Sequence, residues 1–266
     1  MKNKTFAILA AILSLLVFIG LILVPLQKKV PVKKISVKKA PVKKTLPVRG
    51  RIAIVVDDWG YSLKNLALVE QIKQPLTCAI LPGLKNSNLV MQQLNNLGFE
   101  IILHLPMEPK EKYALEKNTI TLGMNAAAIE KIFTKDLLSV NLAKGISNHM
   151  GSRITENIKS STLVMLEAKK RKLYFFDSFV TNQSVCPDIA GKIKIRFAKR
   201  DVFLDNQDDF EYIKGQLIKL KYLAARQGSA IGIGHDRKNT LLVLHEMLPA
   251  MEKEGYKFVF LSGVVE

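Results

Sequence analysis

Two adjacent acids, Asp57-Asp58, follow the apolar run RIAIVV, and three of the four histidines in the chain stand at or near the ends of similar runs. His104 falls in EIILHLPMEP, His149 in GISNHMGS directly after Asn148, and His235 in AIGIGH, while Asp177 closes LYFFDS. The fourth, His245, lies within the helical pattern TLLVLHEMLP and reads as structural. One carboxylate and two neutral imidazoles, with positions left open for water, suit a catalytic zinc or a similar divalent ion. Such an ion lowers the pKa of its water and polarises a substrate carbonyl. A second carboxylate beside the ligands can take a proton, and a further histidine can give one. Each residue alone has a plainer use. An Asp pair after a strand also caps a helix or builds a turn, and a strand-end histidine also satisfies local structure. Their gathering at strand ends favours metal-assisted hydrolysis.

The elements that must position these residues follow from periodicity. Short apolar, β-branched runs predict strands over 51–56, 77–81, 100–103, 145–148, 173–176, 192–197, 230–233 and 257–261. Longer amphipathic stretches predict helices over 63–72, 87–97, 126–140, 161–171, 209–226 and 240–254, with Asn125 as an N-cap. Alternating strands and helices, with strands nearly continuous in apolar residues, predict an α/β domain around a mostly parallel sheet. It is either an open doubly wound sheet or a distorted (β/α) barrel. In both architectures ligands bind at the carboxyl ends of the strands, where the acids and histidines fall.

This predicted single domain, 51–266, follows fifty residues of another kind. Positions 6–26 carry no charge over 21 residues, long enough as a helix, at roughly 31 Å, to cross a hydrocarbon core. With Lys2 and Lys4 in front and no small-residue cleavage site behind, 1–27 reads as an uncleaved membrane anchor. Residues 28–50 repeat VPVKK, ISVKK, APVKK and TLPVRG, an extended lysine-rich linker.

The first fifty residues hold 11 Lys+Arg and no acid. Of the net +17, only +6 therefore belongs to 51–266, which has 29 basic against 23 acidic residues. The basic linker suits anionic lipid or an acidic envelope polymer, and its lack of interleaved aromatics argues against nucleic acid. Eight lysines after the span and two before it would, by the positive-inside rule, hold the domain in the cytoplasm. A short basic start followed at once by an apolar run is instead the arrangement of a signal-anchor, with the domain exported. Cys78 and Cys186 form either one disulfide or two buried thiols, and no Cys/His zinc spacing occurs. No glycine-rich phosphate loop follows the first strand, which argues against nucleotide binding.

VVDDWG, ILHLPMEP, SNHMGS, FFDS and IGIGH, in this order across essentially all of 51–266, resemble the divergent polysaccharide deacetylase family. The resemblance implies a (β/α) barrel of about seven strands, a divalent metal, and removal of an acyl group from a carbohydrate amide. It also implies a carbohydrate polymer as substrate and a domain outside the cytoplasm. Matched position by position, Asp57 is the catalytic base, Asp58 and His104 are metal ligands, and His235 is the acid. The better-known deacetylases of the wider superfamily carry two histidines four residues apart, but Glu108 stands four after His104 here. The second histidine ligand is then expected to be His149, with Glu108 as the fallback. The superfamily's arginine motif has no recognisable counterpart, and Arg153 or Arg200 is the candidate to orient the base. Asn148 and Asp177 are candidate supporting residues. The expected activity is removal of N-acetyl groups from a cell-envelope polysaccharide by a zinc or similar centre. The competing expectation is a non-catalytic, membrane-anchored glycan-binding or scaffold protein with the same barrel.

Overall fold

The computed structural model describes residues 47–266. The expected anchor over 1–27 and most of the expected linker, 28–46, lie outside the described residues. No helix among the described residues is long and apolar enough to cross a membrane. Paired backbone reaches back to Arg49, whose N–H donates to the Gly255 carbonyl at 3.0 Å.

Among the described residues nine strands form one parallel sheet: Gly50–Trp59 (β1), Thr77–Ile80 (β2), Glu100–Met107 (β3), Gly145–Met150 (β4), Tyr174–Asp177 (β5), Phe197–Lys199 (β6), Val202–Phe203 (β7), Ser229–His235 (β8) and Tyr256–Val259 (β9). Their order is β6-β5-β4-β3-β2-β1-β8-β7, with β9 beside β1. The sheet curls into a half-barrel, a distorted form of the expected (β/α) barrel. Arg200 and Asp201 link β6 to β7 without a ladder between them. The count exceeds seven because the two-residue β7 is added at one edge and β9 pairs with the amino-terminal half of β1, whose carboxyl half pairs with β2.

Eight α-helices accompany the sheet in the described residues: Leu66–Val69 (α1), Ser87–Asn96 (α2), Ala126–Ser139 (α3), Ser152–Thr155 (α4), Ile158–Lys170 (α5), Cys186–Ile193 (α6), Phe210–Gln227 (α7) and Lys238–Lys253 (α8). The predicted cap is present, with Asn125 Oδ1 accepting from Ala128 N at 2.9 Å. Two predicted elements differ. The helix expected over 63–72 shrinks to α1, and the strand expected over 192–197 is displaced. Pro187 pre-sets the first turn of α6, Lys194 ends that helix in the left-handed region at φ 54°, and strand structure resumes only at Phe197.

Strand alternation divides the apolar residues between two cores. Ile52, Ile54, Val56, Cys78, Ile80, Ile101 and Leu103 face the helices in the larger cluster. Ala53, Val55, Ala79, Ile102, Tyr174, Phe176, Ile231 and Ile233 fill the inside of the curl. Small residues recur in the inner set because a curled sheet leaves little space there. At the amino end of the strands a polar floor closes this interior. Glu100 Oε1 accepts from Thr77 Oγ1, Tyr174 OH and Ser262 N, each at 3.0 Å. The last described turn, Leu261–Gly263, lies against this floor, with Leu261 N donating to Thr77 Oγ1 at 2.9 Å. Cys78 and Cys186 are both buried and unpaired.

Candidate metal centre

Continuing the inner-face alternation along each strand leads to the polar residues. Val55 is followed two positions later by Asp57, Ile102 by His104, Ser147 by His149, and Ile233 by His235. Asp58 has the wrong parity, since a regular strand would turn it away from its neighbour. The register of β1 against β2 slips between Val56 and Trp59, and Asp58 takes φ 60°. This bulge brings both carboxylates to one cleft of about 240 Å³, lined also by His104, Asn148, His149, Met150, Ser178, Val180, Phe203 and His235.

Within the cleft Asp58 is the hub. Its Oδ1 lies 3.0 Å from His149 Nδ1 and 3.2 Å from His104 Nε2. His104 Nδ1 is held by Ser147 Oγ at 2.8 Å, which fixes the ring and leaves Nε2 facing Asp58. Burial pushes Asp58 up, but the hydrogen bonds and charge of the two imidazoles outweigh it and hold the carboxyl far below the usual range. Burial lowers His104 to about 4, keeping it neutral at pH 7. Asp57 is 4% exposed and has no hydrogen-bond partner on Oδ1. Its burial, and then the charge of Asp58, push it well above the ordinary carboxylate range.

His235 has a different setting. Its Nδ1 meets Asp205 Oδ1 at 2.9 Å, and its backbone N–H donates to Asp205 Oδ2 at 2.8 Å. Thr240 Oγ1 donates to the same Oδ2 at 2.6 Å, and Asp205 is fully buried. Burial lowers His235, but the Asp205 hydrogen bond and the charges of Asp57, Asp205 and Asp58 raise it to about 9. Asp205 was missed in the sequence. Val202-Phe203-Leu204-Asp205 repeats in miniature the apolar-run-then-acid pattern of β1, but it is too short to register as a strand.

The sequence profile described as divergent polysaccharide deacetylase matches residues 54–265. The chain belongs to this family. A further similarity is to YibQ of Escherichia coli (strain K12), 36% identical over 199 residues, covering 75% of this chain and 62% of that protein. A protein of Haemophilus influenzae is 33% identical over 196 residues, covering 74% of this chain and 70% of its own length. The match thus spans less than two thirds of YibQ. Among solved structures, ATU2773 from Agrobacterium tumefaciens C58 superposes with a TM-score of 0.78 at 24% identity, covering 83% of this chain and 90% of that one, a likeness of fold.

The family implies a divalent metal, and the donor set fits one. Asp58, His104 and His149 each offer an atom within 4.8 Å of the others, and the carboxylate-plus-two-imidazole chemistry suits zinc or a close relative. The remaining predicted residues lie around this centre with the following contacts. Glu108, the fallback ligand, accepts from Leu122 N at 2.7 Å and faces Arg153 at 3.5 Å, outside the cleft lining. Arg200 donates from Nε to the Ser178 carbonyl at 2.7 Å and from its terminal nitrogen to the Phe179 carbonyl at 2.5 Å, so it secures the loop after β5. Asn148 lines the cleft while its side chain bonds Met150 O and Ser178 N at 2.7 and 2.8 Å. Asp177 is fully buried with outer-face parity, accepting from Phe179 N at 2.8 Å and Ser184 Oγ at 2.6 Å. His245 is exposed on α8.

Proposed function

We propose that this protein is a metal-dependent hydrolase of the carbohydrate deacetylase type, removing N-acetyl groups from a cell-envelope polysaccharide, with the anchor at 1–27 tethering it to the membrane and the domain outside the cytoplasm. The observation that carries the reading is the convergence of a metal-ligand triad, a separate buried acid and an Asp-backed histidine within one cleft.

Asp58, His104 and His149 would hold the ion. When bound, a divalent metal supplies Lewis acidity, making water more acidic and polarising the acetamide carbonyl. Asp57 accepts the proton of the attacking water on its carboxylate, where no competing donor occupies Oδ1. His235 Nε2 gives a proton to the departing amine nitrogen. Asp205 keeps Nδ1 protonated and the ring oriented, so that Nε2 is the atom presented to the cleft. Phe203, with its ring centroid 5.2 Å from that of His235, shields one side of the imidazole from water.

The test is acetate release from N-acetylated chitooligosaccharides and peptidoglycan fragments by purified protein loaded with zinc. Release should stop on chelation, return with metal, and fall ~10²–10⁴-fold in Asp57→Asn. His149→Ala should lose the metal, and undiminished metal binding in that variant would remove His149 from the ligand set. A second reading, a glycan-binding barrel without turnover, draws on Glu108 standing where better-known relatives carry a histidine. Glycan binding by metal-loaded protein, with no acetate released from any fragment, would favour it.

A further inference from the structure

Asp58 has two carboxylate oxygens, and they face different partners. Oδ1 meets His104 and His149, while Oδ2 lies 3.9 Å from His235 Nε2. Asp57, Asp58 and His235 make a second triad whose ligand atoms also lie within 4.8 Å of one another. Two further observations point to a cation there. Asp57 is 4% exposed and lines the cleft, yet its Oδ1 has no hydrogen-bond partner. His235 is clamped through Nδ1 by the fully buried Asp205, the carboxylate–histidine arrangement that orients an imidazole toward a metal.

We propose that the cleft is a two-cation site, in which a second, weaker divalent ion binds Asp57, Asp58 Oδ2 and His235 Nε2, with Asp58 bridging the two positions. The inference rests on the first triad holding its ion. Bridging carboxylates ordinarily hold such ions about 3.5–4 Å apart. Occupying the second position ties up the acid and the base of the proposed reaction, because Asp57 and His235 cannot ligate an ion and carry protons together. One ion therefore activates and the second silences.

Full-length protein in detergent, stripped by chelation, is titrated with Mn²⁺ by calorimetry and electron paramagnetic resonance. Two equivalents should bind, the second at least tenfold more weakly, and the second should give the spectrum of a spin-coupled pair. His235→Gln should keep the first equivalent and weaken the second at least tenfold. Asp205→Asn, which leaves all three ligands of the second position in place, should weaken the second alone. Thermal melting checks that each variant is folded. A single equivalent up to millimolar Mn²⁺ overturns the second site while leaving the first intact. So does an uncoupled second ion, or one indifferent to His235→Gln. Binding of no ion at all overturns the first triad, and this inference with it.

Discussion

Asp57 and Asp58 carry the same side chain on adjacent residues, and their surroundings drive them apart. Asp58 is stabilised as a carboxylate by two imidazoles, whereas Asp57 is buried without a partner on Oδ1. Opposed environments of this kind give two carboxyl groups separate roles. Asp57→Asn should therefore lose turnover while binding its first metal equivalent with unchanged stoichiometry, as measured by dialysis and metal analysis. Asp58→Asn should lose both. The acid pair and the three histidines were legible in the sequence as residue types at the ends of apolar runs. Asp205 was not, because a two-residue strand carries too little alternation to announce itself. The parity problem at Asp58 was equally hidden, since a bulge is a property of the pairing with β2 and leaves no local mark beyond the acids themselves.

At the scale of elements, the strands that carry the site were legible because each is an apolar run buried on both faces. The stretch between β5 and β6 was not. There an amphipathic apolar pattern over 186–197 fits a short helix as readily as a strand, and Pro187 decides for the helix. Helix α3 also holds a residue whose charge alone would place it in solvent, although its spacing puts it on the buried face. Asp136 is 1% exposed on the face shared with Ile129 and Phe133, bonded through Oδ1 to Asn118 Nδ2 at 3.0 Å, with Oδ2 unpartnered. Burial raises it to about 6, against the lowering pull of the Asn118 bond and Lys135. The folded state then holds this proton more tightly than the unfolded chain, so stability falls as pH rises from about 4 to about 6. The fall is up to ~3 kcal/mol. Asp136→Asn should flatten that part of the profile and raise the urea midpoint above pH 6. An unchanged difference between pH 4.5 and pH 7 would refute the assignment.

For the whole molecule, chemistry and closure lie at opposite ends of the curled sheet. The cleft opens at the carboxyl ends of the strands, and the Glu100 floor seals the amino ends. Glu100→Ala leaves Thr77, Tyr174 and Ser262 N without their acceptor and should cost ~2–4 kcal/mol in denaturant unfolding. Metal stoichiometry at neutral pH should not change in that variant. The division also explains what the sequence could convey at this scale. A mostly parallel α/β sheet follows from alternation and the barrel from the family resemblance, whereas the floor depends on residues far apart in the chain, Thr77 and Ser262 among them, meeting at one carboxylate. For the tether, the full chain should sediment with membranes through alkaline carbonate washing, and a chain beginning at residue 47 should stay in the supernatant.

The bulge at Asp58 has a consequence for descent. A left-handed aspartate beside a second buried acid is a costly local arrangement in the absence of its ion, and Asn or Gly accepts that backbone more readily. Substitutions that relieve this crowding, above all at the unpartnered Asp57, therefore tend to make the ion-free barrel more stable, along the usual opposition between activity and stability. Once selection for turnover lapses in a lineage, mutation runs downhill toward silent barrels that keep their shape. The proposed activity thus predicts an intact Asp57-Asp58 pair in relatives that turn over substrate, and erosion of the pair as an early trace of retirement from catalysis.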